Sequence, residues 1–144
     1  MNSSHYRGLE RMYLKAPIND FYLPEIKIEE GRCEIRMEVK SGFFHAADAV
    51  HGSCIFKLLD DAAFFAVQSV VESNFILTHK FETTFKKPVK QGVIIGKGRF
   101  EISEGRDFFG VSEVRNSEGE LIALGRGSFR VSNWALSSVA GYQS

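Results

Sequence analysis

Residues 53–71 read SCIFKLLDDAAFFAVQSVV, a stretch with no glycine or proline and only three charges, Lys57, Asp60 and Asp61. Apolar side chains occupy most of its helical circumference, which predicts a central helix buried on nearly every side. Such a helix has to be wrapped by other elements. Beyond it, residues 75–85, 93–103, 108–115 and 121–131 read as strands, separated by KKPVKQG, EGRD and NSEGE, all rich in turn formers. Before it, residues 25–30 and 32–40 read as two strands parted by Gly31, and in the second Cys33, Ile35, Met37 and Val39 alternate with charged residues. Leu9, Met12 and Tyr13 carry the spacing of a short helix over 5–15, and Pro17 and Pro24 bracket an irregular stretch. Residues 133–144 are small and polar apart from Trp134 and read as a loosely ordered tail. The sum is an α+β architecture, one curved antiparallel sheet around a long helix. It divides into an N-terminal segment (1–24), a central domain (25–131) and a C-terminal tail (132–144).

Composition narrows the function. At 144 residues the chain suits a single core, and its 18 basic and 18 acidic side chains cancel, which argues against a nucleic-acid binder. No apolar run reaches the ~18 residues of a membrane span, the first residues lack a signal core, and two cysteines make no disulfide framework. A cytoplasmic protein is the expectation. Phenylalanine is in excess, at 13 residues, which gives apolar surface for core, cavity or interface.

Chemistry has five candidate places. His51, Gly52 and Ser53 stand at the start of the central helix, where unpaired backbone amides can hold a developing oxyanion; the competing reading is an ordinary cap with Ser53 as the capping residue. Asp60 and Asp61 point about 100° apart, so they form no dyad. One of them falls among Phe56, Ala63, Phe64 and Val67, where its charged form is disfavoured, as a base near neutral pH requires; the alternative is a narrow polar stripe with Lys57 facing water. His45 is either a catalyst or a hydrogen-bonded loop residue, and with Asp48 and His51 it makes no convincing metal site. Cys54, three residues after His51, reads as packing more readily than as a nucleophile. Last, Lys86, Lys87, Lys90, Lys97, Arg99, Arg126 and Arg130 would form a phosphate-binding patch if their strands are neighbours, and otherwise are solvated surface charges. Gly96-Lys97-Gly98 and Gly125-Arg126-Gly127 read as strand glycines that let backbone approach closely. Gly52 and Asp60 lie roughly 12 Å apart along a helix rising about 1.5 Å per residue. Serving one carbonyl together would take two antiparallel copies of the helix.

The segment FHAADAVHGS over residues 44–53, with Asp60 nine residues after His51, resembles the hotdog-fold acyl-CoA thioesterases of the PaaI-like family. That family's pattern is Asn-x-x-Gly-x-x-His-Gly-Gly with an acidic residue nine after the His. Thr78, the turn at 85–92 and Gly119 extend the likeness over roughly residues 25–131. The resemblance implies a hotdog subunit that forms a homodimer, often a dimer of dimers (a homotetramer). It makes Asp60 the catalytic base or nucleophile, Gly52 the oxyanion donor and Thr78 a hydroxyl that positions water. His51, Ser53 and Phe64 fall beside these on the substrate. Lys86, Lys87 and Arg126 are then the candidates for the coenzyme A phosphates. His45 stands where many members have Asn and Ser53 where many have the second Gly, and Asp48 and Ala49 disrupt the usual Gly spacing of the loop; His45 can still donate to the carbonyl or to water. On strand parity Thr78 shares a face with Lys80 and Glu82, so it serves a site only if the strand is bulged or that face is covered.

The expected activity is a hydrolase releasing free acid and coenzyme A, with no metal and no cofactor beyond the coenzyme A of the acyl-CoA substrate. Two alternatives stand beside it: a hotdog hydratase or dehydratase using His45 with Asp60, and a non-catalytic acyl-CoA-binding module.

Overall fold

A computed structural model describes residues 2–143. Two helices come first, α1 (Ser3–Lys15) and α2 (Asn19–Tyr22), then strands β1 (Glu25–Glu29) and β2 (Arg32–Glu38), the long α3 (Gly52–Gln68), and β3 (Asn74–Phe85), β4 (Val93–Glu104), β5 (Asp107–Asn116) and β6 (Leu121–Ala135). The six strands form one antiparallel sheet in the order β1-β2-β4-β5-β6-β3. This is the α+β hotdog arrangement. The alternation in β2 is realised, with Cys33, Ile35 and Met37 buried between charged neighbours.

The helix packs on the sheet at backbone distance. A side chain at Gly98 would lie 2.1 Å from the Ala62 carbonyl oxygen, so only glycine allows β4 to pass under α3. Leu58, Leu59, Ala62, Ala63, Ala66 and Val67 of α3 are fully enclosed. α3 stops at Gln68, three residues before the apolar run ends, because the Gln68 side chain bonds Val71 and Asn74 carbonyls and the Ile76 amide and so turns the chain into β3.

The two terminal segments belong to the same body. Tyr6, Leu9, Met12 and Tyr13 of α1 join the core. The tail is not loosely ordered: β6 continues to Ala135, a 3-10 turn buries Leu136 to 1% exposure, and Tyr142 packs back on α1. Leu136, Val139 and Tyr142 are spaced by single turns, a periodicity too short to read as an element from sequence.

Candidate active site

α3 begins at Gly52 because His51 is extended there and its Nδ1 accepts the Ser53 amide at 3.0 Å. His51 is thus the capping residue and Ser53 is not; an imidazole acceptor sits two residues earlier than the hydroxyl. Among the described residues the Gly52 amide has no hydrogen-bond partner. The Cα of Gly52 lies beside the Phe85 ring, which a side chain at position 52 would meet at 3.3 Å. The preceding loop is held by the Phe44–Val50 bridge and by the His45 amide on the Ala49 carbonyl. Asp48 adopts φ 63, the left-handed conformation glycine favours and aspartate tolerates. The loop therefore keeps a glycine-like backbone at the position where the resembling family has Gly.

Two turns further along α3 the adjacent aspartates part. Asp61 pairs with Lys57, whose ammonium also donates to Tyr13 Oη at 3.1 Å and Asn19 Oδ1 at 2.9 Å and lies over the Tyr13 and Tyr22 rings. The Tyr13 hydroxyl donates to Asp61 at 2.6 Å, and burial with this carboxylate alongside pushes the phenol up. Among the described residues no cation forms an ion pair with Asp60. Its Oδ1 accepts the Thr78 hydroxyl at 2.9 Å, and burial pushes its carboxyl up to about 6, against the lowering effect of that hydrogen bond. The polar-stripe reading fits Asp61 and Lys57; the base-in-apolar-surroundings reading fits Asp60.

Thr78 reaches Asp60 because β3 is irregular. Thr78 pairs with Phe129 but Lys80 pairs with Ser128, so His79 is an extra residue on the strand. A bulge shifts side-chain parity by one, which turns Thr78 toward α3 together with Phe81. Phe81 then packs edge-on against Phe56 with ring centroids 5.3 Å apart.

Asp60 and Thr78 open into a trough of about 580 Å³. α3 is its floor through Phe56, Phe64 and Phe65; the last turn of α1, with Tyr13, forms one wall, and Phe75 and Leu77 of β3 form the other. Phe64 lines it as expected. Tyr13 lines it too, whereas Phe21 and Tyr22 pack on Phe43 outside it. Val139 and Ala140, in the segment that reads from sequence as a loose tail, line the trough as well.

The remaining candidates are placed elsewhere. His45 is exposed, its Nδ1 accepting the Ala47 amide and its ring 6.4 Å from that of His51. Cys54 is buried against the Phe43 carbonyl and Tyr22. The basic residues do not gather. Lys87 pairs with Glu120, Lys97 with Glu34, Arg126 with Glu101 and Arg130 with Asp107. The Lys86 amide bonds the Ile122 carbonyl, which sets it roughly 13 Å along β6 from Arg126. The single patch fails because β3 and β4, consecutive in sequence, lie three places apart in the sheet. No group of three or more His, Cys, Asp or Glu among the described residues is placed to hold a metal, and no helix is long and apolar enough to cross a membrane.

Comparison with known proteins agrees with this geometry. The thioesterase superfamily model matches residues 48–123, from the Asp48 turn to the start of the last strand. An Archaeoglobus fulgidus protein named "Putative esterase" is 31% identical over 104 residues; the match covers 72% of this chain, which spans 66% of that relative's length. The PaaI protein of the E. coli phenylacetic acid degradation operon superposes with a TM-score of 0.83 at 17% identity, covering 92% of this chain and 96% of that one. Zebrafish thioesterase superfamily member 2 superposes with a TM-score of 0.76 at 18% identity, covering 88% and 95%.

Proposed function

Because the chain belongs to the thioesterase superfamily, we propose that it hydrolyses an acyl-CoA thioester to the carboxylic acid and coenzyme A, in a homodimer whose sites are shared between protomers. The observation that carries the reading is Asp60, a carboxyl pushed up to about 6, held on one oxygen by Thr78 and open to an apolar trough on the other. A base of that strength is mostly ionised at neutral pH, so it is free to take a proton from water, and it is a stronger base than an ordinary carboxylate.

In the proposed reaction Asp60 removes a proton from water as the water oxygen bonds to the thioester carbon. The carbonyl electrons move to its oxygen, and the Gly52 amide, at the positive end of α3, stabilises that charge. Collapse of the intermediate breaks the carbon–sulfur bond, and the proton held by Asp60 goes to the departing coenzyme A sulfur. Water is the only co-reactant this scheme needs. Since Gly52 and Asp60 are roughly 12 Å apart on one helix, the amide comes from the second copy, whose α3 runs antiparallel. His51 keeps that amide in place by capping the helix. Lys86 is the first candidate for the coenzyme A phosphates, with Lys87 and Arg126 available after exchanging their acidic partners. Cytoplasmic residence fits two free buried cysteines.

Thiol release from a panel of acyl-CoAs tests the reading. Asp60→Asn should lose about a thousandfold or more in turnover while still binding acyl-CoA. Gly52→Pro deletes the amide proton and adds a ring for which the Phe85 side chain has to shift slightly; proline is favoured at the first helical position, and His51, at φ -62 and ψ 140, is compatible with a following proline. It should be equally inactive. Co-expressing the two variants leaves one intact site per mixed dimer, so about a quarter of the parent activity should return. Near-normal hydrolysis by Asp60→Asn, or no thiol release from any acyl-CoA, overturns the assignment.

A further inference from the structure

The C-terminal segment lines the trough with Val139 and Ala140 and is anchored on both sides of them. α1 carries a glycine, Gly8, in its second turn, where glycine costs helix stability relative to alanine. A side chain there would lie 2.6 Å from the Tyr142 carbonyl oxygen, so the glycine makes room for the tail. Three further contacts hold it. The Tyr142 hydroxyl bonds His5 Nδ1 at 2.6 Å, while His5 Nε2 bonds the Gln68 carbonyl at 2.9 Å, which joins tail, α1 and α3 through one imidazole. Arg11 donates to the Gly141 carbonyl at 3.1 Å and the Tyr142 carbonyl at 2.8 Å. Gly141 holds φ 92, a turn so close to α1 that a side chain there would meet the Arg11 carbonyl oxygen at 3.1 Å. The other end is fixed by the Leu136 amide on the Ser73 carbonyl, just before β3. Between these anchors lie Val139 and Ala140, the residues that line the trough.

We propose that residues 136–142 are the specificity-determining end wall of the acyl site, so that the preferred substrates are thioesters of compact acyl groups that end at Val139. This rests on the acyl-CoA reading above, and it adds what that reading leaves open, the size of the acyl group. The trough is lined by Asp60 and Thr78 and, one turn further along α3, by Phe64, which packs on Phe75; Val139 and Ala140 line it as well. A chain longer than the space between Asp60 and Val139 has to displace the tail, and with it the His5 and Arg11 contacts. The wall acts on the part of the acyl group remote from the carbonyl, so it changes which substrate binds and leaves the hydrolytic step alone.

Gly8→Ala tests this, because the new methyl meets the Tyr142 carbonyl while improving the helix that carries it. Each methylene newly accommodated in apolar surroundings is worth about fourfold in binding. Room for two of them should raise the ratio of kcat/KM for tetradecanoyl-CoA over hexanoyl-CoA about fifteenfold, with hexanoyl-CoA turnover close to the parent value. Val139→Phe moves the wall inward and should shift the preferred acyl group to a shorter one. Circular dichroism and melting confirm that both variants are folded. An unchanged chain-length profile in both overturns the proposal. Should the parent release no thiol at all, the hydrolytic reading falls on its own. The wall is then tested with non-hydrolysable S-alkyl thioethers of coenzyme A: a longer preferred chain in Gly8→Ala sustains it, and identical affinities across the series overturn it.

Discussion

The two edges of the sheet are treated in opposite ways. At β1 the outer edge is covered by α1: Glu10 accepts the Ile28 amide at 2.7 Å, and Arg7 donates to the Ile28 carbonyl and pairs with Glu10 and Glu29. Side chains thus satisfy the middle of a five-residue strand and leave no template for another chain. At β3 the edge runs for 12 residues and is paired only to β6. Leu77 and Phe85 stand exposed along it, at 42% and 56%. For the proposed homodimer, the difference favours β3 over β1 as the seam. The open edge is also the one that carries Thr78, and α3 runs antiparallel beside it with Phe85 at Gly52 and Phe56 at Phe81. Pairing through β3 would therefore bring the Gly52 end of one α3 toward Asp60 of the other.

The largest effect should come from blocking the open edge. The Lys86 amide bonds the Ile122 carbonyl, so by alternation the Thr84 and Glu82 amides face β6 and the Thr83 amide faces outward. Thr83→Pro removes that outward donor without touching the β6 ladder, and it gives up a buried hydroxyl that has no partner among the described residues. Light scattering should find a monomer, and turnover should fall by about a hundredfold or more because each site would lose its oxyanion donor. A dimeric, active Thr83→Pro protein would break the link between this edge and the site.

Opening the closed edge should do less to the reaction and more to solution behaviour. Arg7→Ala with Glu10→Ala strips both partners from the Ile28 backbone. The loss should destabilise the fold by about 1–2 kcal/mol, read by chemical denaturation, and add concentration-dependent association at β1. Turnover per folded chain should stay near the parent value, since Asp60, Thr78 and Gly52 lie on the other side of α3.

How far the sequence reached follows the same division between local and remote information. The apolar run of α3, the alternation of β2 and the turn formers between strands are local patterns, and each became the expected element. Asp60 and Gly52 were legible because a carboxylate in an apolar helix and an unpaired helix start are read within one turn. Sheet order was not legible: Lys97 and Arg126 looked like members of one patch only while consecutive strands were taken as neighbours. The tail was missed because its anchors, His5, Gly8 and Arg11, are some 130 residues away in the chain, and a glycine inside a helix reads as a weak spot until the carbonyl it admits is seen. Thr78 lies between these cases. Parity placed it on the wrong face, and one extra residue at His79, with no distinguishing side chain, put it right.

That bulge gives the smallest effect and the most specific one, because it concerns a single hydrogen bond on the open edge. With Asp60 ionised as the base, kcat should rise with pH along a limb centred near 6. The Thr78 hydroxyl bonds the charged carboxylate and opposes the effect of burial, so Thr78→Val should move the limb to higher pH and leave the plateau rate little changed. Asp61→Asn should move it the other way, since the Asp61 charge raises Asp60. Stability carries the same signature with a definite sign. Asp60 sits above its ordinary 3.8 in the folded chain, so its contribution is fully present at acid pH and is lost as pH rises from about 4 through about 6. Asp60→Asn has no charge to desolvate and keeps an acceptor for Thr78. Its melting temperature should match the parent near pH 4 and exceed it near pH 8; a gap that is constant with pH would mean that Asp60 is not held in the apolar, uncompensated setting on which its proposed role depends.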